Sequence, residues 1–344
     1  MLKKRDVKTL LRVGNKIAAA RLRKRMRLIT VEFALTYRCN LQCGYCAQVH
    51  AEEFRHIKAH DLSFDQVRQV MDNLDFLGVE RVNISGGEPL LREDIDDIIT
   101  IAAKKKFFLT LVTNGMFVYK HLKALKLVDL LSISLDGTEQ TNDYFRGKGS
   151  FGLTFKGIHA AHEENIPFVL SAVVTAKFTR EDINFLLELC EQLNVQCAIV
   201  PMISFGICAD QIKEVKQFKN VVANAYVIKD MFSYLRVHRL RRFLIGGDYW
   251  CKAVIDYYSN NNKKQKRCMA GCLFFNIKAN GTVTACSLSA DSLFAAKAYE
   301  HDFLDSCSGK IPSFNCLRCL CFSYYVLNCM ADGELRTLWT MFRS

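Results

Sequence analysis

Cys39, Cys43 and Cys46 fall within eight residues, reading Cys-Asn-Leu-Gln-Cys-Gly-Tyr-Cys. Three thiolates at this x3 and x2 spacing can ligate three irons of a [4Fe–4S] cube and leave the fourth iron without a protein ligand. Ferredoxin-type sites instead supply four cysteines and close the cluster. An open iron invites a small molecule to bind there, which turns an electron carrier into a catalyst. The spacing alone also describes a zinc site short of one ligand, or a chance grouping in a chain with 15 cysteines.

The flanks narrow that choice. Residues 29–36 alternate and are β-branched enough for a strand. The cysteines lie just beyond its carboxyl end, where parallel α/β folds place their chemistry. Residues 82–89 read as a second strand running into Gly86, Gly87, Glu88 and Pro89. Alone, Gly-Gly-Glu-Pro is a tight turn before a helix. The two motifs in this order resemble the radical S-adenosylmethionine (SAM) superfamily, whose CxxxCxΦC loop, here with Tyr45 as the aromatic, is followed by GGEP.

That resemblance implies an α/β partial (β/α)6 TIM-like barrel, a [4Fe–4S] cluster on Cys39, Cys43 and Cys46, and SAM chelating the open iron. It implies that Gly86 and Gly87 let backbone approach the methionine moiety and that Glu88 accepts from the SAM ammonium. Residues 132–137, Ser-Ile-Ser-Leu-Asp-Gly, resemble the family's SxDG segment. Ser134 is assigned to the SAM carboxylate or ribose, and Asp136 to substrate, ribose or a turn cap. Residues 142–146 are similar to the stretch where relatives place an arginine on the SAM carboxylate, so Arg146 is a candidate, a solvated loop arginine being the alternative. Thr113, Asn114 and Gly115 end one strand and Thr175 another, all placed to line the cavity, though Asn-Gly is equally an ordinary turn. The chemistry implied is one-electron reduction by an external flavodoxin- or ferredoxin-type donor, reductive cleavage of SAM, and hydrogen abstraction from substrate by a 5′-deoxyadenosyl radical.

Strand and helix patterns alternate from residue 29 to about 200, the signature of stacked βαβ units. Strands are expected at 29–36, 81–85, 107–113, 129–135, 168–175 and 195–200. Helices are expected near 64–77, 93–105, 118–127, 151–164 and 180–192, the first capped by Ser63. Residues 210–243 read as one or two long helices joining the barrel to a tail. The expected organisation is a basic front helix (1–28), a barrel (29–209), connecting helices (210–250) and a cysteine-rich domain (251–344).

Nine cysteines occupy that last part: Cys251, Cys268, Cys272, Cys286, Cys307, Cys316, Cys319, Cys321 and Cys329. Residues 274–285 read as a β-hairpin about Asn280 and Gly281. The pattern resembles the SPASM/twitch extensions of radical SAM enzymes, which hold auxiliary [4Fe–4S] clusters. The favoured reading is one auxiliary cluster on Cys268, Cys286, Cys316 and Cys319. A two-cluster scheme would use Cys268, Cys272, Cys286 and Cys329, then Cys316 and Cys319 with Cys321, and a structural zinc knuckle is the plain alternative. Tyr325 stands where the two-cluster pattern expects a cysteine.

Formal charge is +12, and residues 1–27 alone, with 11 Lys/Arg and one Asp, carry +10. Val7, Leu10, Leu11, Ile17 and Leu22 recur there at helical spacing. Such a helix suits an anionic membrane surface or acidic partner, and equally an apolar side packed on the barrel. No nucleic-acid partner is expected, since aromatics do not interleave with the charges. No run of about 18 apolar residues suggests a membrane span. Cysteines clustered at metal-type spacing point to a reducing, cytoplasmic compartment, with peripheral membrane contact through the front helix. For the reaction, oxidation of an alcohol-bearing, sugar-like small molecule is favoured. Peptide or protein modification is the alternative, as is epimerisation with Cys208 returning a hydrogen atom. A non-enzymatic electron carrier is the reading of a different class.

Overall fold

Six β-branched and aliphatic runs form β1 (Thr30–Thr36), β2 (Arg81–Gly86), β3 (Phe108–Thr113), β4 (Leu130–Ser134), β5 (Phe168–Val174) and β6 (Gln196–Pro201), all parallel, each within a residue or two of its expected place. The computed structural model describes residues 12–19, 26–46, 61–202, 221–259, 268–287, 292–308 and 321–331. Parallel neighbours cannot be joined by tight turns, so helices carry the chain back between strands. These are α1 (Phe64–Phe76), α2 (Ile95–Ala103), α3 (Leu122–Leu125), α4 (Glu139–Arg146), α5 (Ser150–Glu163) and α6 (Arg180–Leu193). Ser63 caps α1 in a capping box with Gln66, as expected.

Side chains alternate across each strand. Val31, Phe33 and Leu35 of β1 are fully buried in one apolar core with Val67, Val70, Met71 and Leu74 of α1. Glu32, Asn83 and Thr110 share a rung across β1, β2 and β3 and face the concave side. The sheet does not close: β6 is an edge, blunted by a backbone bond from Ile245 N to Cys197 O (2.8 Å) and by Trp250 Nε1 donating to Ile199 O (2.8 Å).

Three elements differ from expectation. The mostly polar α4 falls where the sequence predicts no helix. The helix expected at 118–127 is split into a 3-10 turn (Val118–Lys120) and the four-residue α3, with His121 off helical geometry between them. The connecting region holds α7 (Ala225–Val237), which ends where His238 turns extended (ψ 137°), a 3-10 turn (Arg241–Phe243) and α8 (Gly247–Tyr258), which starts after left-handed Gly246 (φ 80°); residues 210–220 of that expectation lie outside the described residues.

In the tail, β7 (Phe274–Ile277) and β8 (Val283–Thr284) form the expected antiparallel hairpin, followed by α9 (Phe303–Ser308) and α10 (Phe322–Ala331). The hairpin also extends the barrel sheet, with β7 running parallel to β1 so that Thr30 pairs with Phe274 and Glu32 with Asn276. A second apolar cluster joins Val13 and Ile17 of the front helical segment to Ile29, Leu273, Phe274, Tyr324 and Leu327. Lys16 Nζ donates to Leu28 O (3.0 Å) and pairs with Glu80 (3.0 Å), as does Arg12 (3.0 Å). The described part of the front helix is therefore a packing extension whose apolar side is spent on the tail. The membrane or acidic-partner expectation otherwise falls on residues 1–11 and 20–25, which lie outside the described residues. No described helix is long and apolar enough to cross a membrane.

Candidate active site

The cysteine loop begins where β1 ends. Thr36 O accepts from Gly87 N (2.6 Å) and Arg38 O from Glu88 N (2.9 Å), so the turn after β2 is zipped to the loop by its backbone. A Cβ on Gly86 would stand 2.2 Å from Thr36 O, and one on Gly87 2.2 Å from Arg38 O. In this structure both glycines thus admit the chain's own backbone, which supplies a packing reason for their identity. Arg92, 5% exposed, holds β1 from behind by donating to Leu35 O (3.1 Å) and Leu62 O (3.0 Å) while paired with Asp94 (2.7 Å).

Cys39 is exposed, Cys46 half-buried and Cys43 buried. Cys46 N bonds Cys43 O (3.0 Å), Gly44 N bonds Phe145 O of α4 (2.9 Å), and Leu41 N donates to Cys39 Sγ (3.4 Å). Burial pushes the Cys43 thiol up to about 12, with the Arg146 charge opposing, and also raises Cys39. These thiols keep their protons until a metal displaces them. Among the described residues no three Cys, His, Asp or Glu side chains converge on a single ion.

Glu88 is fully buried. Its Oε1 accepts from Thr113 Oγ1 (2.8 Å) and Leu90 N (3.1 Å), and its Oε2 from Asn114 N (2.7 Å), tying the ends of β2 and β3 together. Burial raises its carboxyl to about 7 despite those donors and the charge of Arg146. No cation bonds it among the described residues. Pro89 opens the 3-10 turn (Pro89–Leu91) that Glu88 caps.

Asp136 is also fully buried, and its carboxylate is already engaged: Oδ2 accepts from Arg146 Nε (2.7 Å) and from the Tyr45 hydroxyl, Oδ1 from Val173 N (3.0 Å). It clamps the cysteine loop, α4 and β5 together, a role for which sequence spacing gave no signal. Arg146 is no solvated loop residue; it ends α4, 8% exposed, with its guanidinium over the Tyr45 ring. Burial opposes its charge, but Asp136 overrides that and holds its pKa above the ordinary value. Its two terminal nitrogens make no hydrogen bond among the described residues. Ser134 is half-buried at the end of β4, while Ile133 and Leu135 point into the core as the alternation predicts. Thr175 is fully buried, and its hydroxyl has no hydrogen-bond partner among the described residues.

Asn114 Nδ2 donates to Asn40 Oδ1 (2.9 Å), and Asn40 Nδ2 reaches Met116 Sδ (3.1 Å), so two residues not anticipated from sequence buttress the loop. Asn142 accepts from Asp136 N (3.2 Å) and fixes the turn after β4. Deeper on the concave face, Asn83 Nδ2 donates to Glu32 Oε1 (2.9 Å), and Arg81 Nε donates to Asn83 Oδ1 and Thr110 Oγ1 (both 3.1 Å). The signal for this network is the polar residue at alternate strand positions.

In the tail, Cys268, Cys272, Cys286 and Cys321 are partly buried against one apolar cluster, and Cys329 is fully buried in α10. Cys272 and Cys321 thus join Cys268 and Cys286 there, while Cys316, Cys319 and Cys208 lie outside the described residues.

Residues 33–190 match the family model described as the radical SAM superfamily. The chain is similar to Fe-coproporphyrin III synthase of Methanosarcina barkeri, 35% identical over 167 residues that cover 47% of this chain and 41% of the relative. The chain spans about half the length of the curated relatives it matches. Among solved structures, Streptococcus suis SuiB bound to precursor peptide SuiA superposes with TM-score 0.66 at 18% identity, covering 86% of this chain and 68% of SuiB. anSMEcpe with bound AdoMet and a Kp18Cys peptide superposes with TM-score 0.59 at 14% identity, covering 90% and 97%. These two likenesses establish the fold, an open α/β partial barrel.

Proposed function

We propose that this chain is a member of the radical SAM superfamily, whose family model matches residues 33–190, and that Cys39, Cys43 and Cys46 hold its [4Fe–4S] cluster while Glu88 and Arg146 hold the charged ends of SAM. One observation carries the reading. A fully buried carboxylate with no bonded cation lies within electrostatic reach of a buried guanidinium whose terminal nitrogens have no protein partner among the described residues. An amino-acid moiety presents the complement, an ammonium and a carboxylate.

When bound, the cluster and SAM supply one-electron reductive cleavage of a carbon–sulfur bond and a 5′-deoxyadenosyl radical that abstracts hydrogen from substrate. The chain's own residues orient and shield. Asp136 fixes Arg146 and Tyr45, and the Gly87–Thr36 and Glu88–Arg38 backbone bonds set Glu88 beside the cysteine loop. Asn114, just after β3, and Ser134, at the end of β4, are proposed to contact SAM. A flavodoxin- or ferredoxin-type protein is the proposed electron donor. Cys268 and Cys286 are proposed ligands of one auxiliary cluster, completed from Cys272, Cys321 or the Cys316–Cys319 pair.

For the substrate, an alcohol-bearing, sugar-like molecule is supported by the polar concave face of Glu32, Arg81, Asn83 and Thr110. Its oxidation gives one hydrogen atom to the adenosyl carbon, a proton to solvent and an electron to the tail centre. A second reading, peptide or protein maturation or epimerisation, is favoured by the shared fold with two proteins solved with bound peptides. Stimulation of 5′-deoxyadenosine formation by a panel of hydroxylated small molecules, and not by peptides, supports the first; the reverse supports the second.

The cluster assignment is tested separately. Replacing Cys39, Cys43 or Cys46 by Ala is expected to remove about four irons per chain and to abolish SAM cleavage while tail iron persists. SAM cleavage by all three variants would contradict the assignment.

A further inference from the structure

Arg81 opens β2 and is half-buried. Its neighbours Val82 and Ile84, like Leu109 and Leu111 of β3, belong to the apolar core under the helices. Alternation therefore puts Arg81, Asn83 and Thr110 together on the concave face. The guanidinium leans up the barrel, because its Nε donates to Asn83 Oδ1 and Thr110 Oγ1 (both 3.1 Å), two residues nearer the carboxyl ends of the strands. It also lies 5.4 Å from the centre of the Phe108 ring, and Phe108 packs on an apolar plug of Leu130, Val169 and Ile245. Nε and the plug fix the head group. Its two terminal nitrogens make no hydrogen bond among the described residues, yet neither is a sealed orphan.

A fixed cation with a free N–H fork is complementary to an anion. Arginine keeps its charge in a protein interior, and the fork matches the two oxygens of a carboxylate. Glu32 does not fill this role. Its carboxylate accepts from Asn83 Nδ2 (2.9 Å), and Asn83 stands between it and Arg81, so the two charges form no ion pair. Glu32 is still close enough for its charge to act on Arg81. That neighbour repels a phosphate with nearly two negative charges more than a carboxylate with one.

We infer that the terminal nitrogens of Arg81 anchor a carboxylate of the substrate, which makes that substrate a hydroxylated carboxylic acid of the sugar-acid class. The inference rests on the alcohol-bearing, sugar-like reading proposed above and adds a charge to it. From Asn83 to Gly86, at the carboxyl end of β2, the strand rises about 10 Å. An acid of monosaccharide size held at Arg81 therefore extends toward the cysteine loop. Ser132 and Ser171, short and half-buried on the same face of β4 and β5, are placed to meet its hydroxyls. Arg81 determines specificity and takes no part in bond breaking.

The test uses the full chain reconstituted with iron and sulfide, with SAM and dithionite present, and follows 5′-deoxyadenosine formation against probe concentration. The probes are matched pairs, glucose with glucuronate and galactose with galacturonate, and a hexose phosphate. The expected half-saturating concentration is about tenfold to a hundredfold lower for a uronate than for its neutral partner. Arg81→Gln is expected to erase that advantage and leave the neutral sugar's value where it was. Equal values for acid and neutral sugar in the unaltered chain, or an advantage that survives Arg81→Gln, would overturn the inference and leave the alcohol reading standing. A hexose phosphate that outperforms both uronates would overturn the carboxylate assignment. Should Arg81→Gln fail to load iron, Arg81→Lys decides, since it keeps the charge and removes the fork: a reduced acid preference supports the anchor, and an unchanged one overturns it. No response to any sugar, with a response to peptides, would overturn the alcohol reading and the inference with it.

Discussion

Glu88 holds the ends of β2 and β3 together and offers a buried negative charge to a ligand. Because its folded pKa of about 7 lies above its ordinary value of 4.5, the folded chain binds the extra proton between those values. Stability without ligand therefore falls as pH rises through that window, by on the order of 3 kcal/mol. Glu88→Gln is expected to flatten that pH dependence in thermal unfolding. A cation on Glu88 favours the ionised form, so SAM affinity should increase as pH rises through neutrality. Glu88→Gln should remove that slope and weaken binding by about 1.5–3 kcal/mol. Calorimetric titration across neutral pH checks both, and an unchanged dissociation constant would leave Glu88 a purely structural role. Asp136 behaves differently. Asp136→Asn leaves Arg146 buried without its carboxylate and is expected to cost about 3–5 kcal/mol in chemical denaturation. The cysteine spacing and the GGEP run made the site's location legible in the sequence. The roles of Asp136 and Tyr45 were not, because Tyr45, Asp136, Arg146 and Val173 meet only after β4, α4 and β5 have folded together.

At the scale of elements, the joint between the cysteine loop and β2 carries the site. Gly86 has φ 136° and no room for a Cβ, whereas Gly152 in α5 has open space around it. Gly86→Ala is expected to destabilise by about 2–4 kcal/mol and to displace the loop. Gly152→Ala should stabilise by about 0.5–1 kcal/mol through helix propensity alone. Equilibrium unfolding of the pair separates the two effects; equal outcomes would remove the backbone joint from the account. The six parallel strands were readable because each apolar run is local and ends in a turn signal. The pairing of β7 with β1 was not, because it joins residues some 240 positions apart and leaves no local pattern. Helix α4 was missed because its buried face is made of Thr141, Asn142, Phe145 and Arg146, which carry little apolar signal.

Across the whole molecule, barrel and tail share one sheet, and the front segment seals the lower end of that joint with Val13 and Ile17. The proposed site at the cysteine loop lies at the carboxyl ends of β1 to β4, the tail thiols lie by the start of β1, and the polar face of Glu32, Arg81 and Asn83 runs between them. That layout suits a substrate held in the barrel with an electron source on one side and an electron acceptor on the other. The cysteine loop and GGEP turn are proposed to make a site that cleaves SAM. The most direct measurement reconstitutes the full chain anaerobically with iron and sulfide, adds SAM and dithionite, and quantifies 5′-deoxyadenosine and methionine. The account predicts both products in equal amounts, and neither from the chain with Cys39, Cys43 and Cys46 replaced by Ala. A fully loaded, reduced protein that leaves SAM intact would contradict it and make the chain an electron carrier.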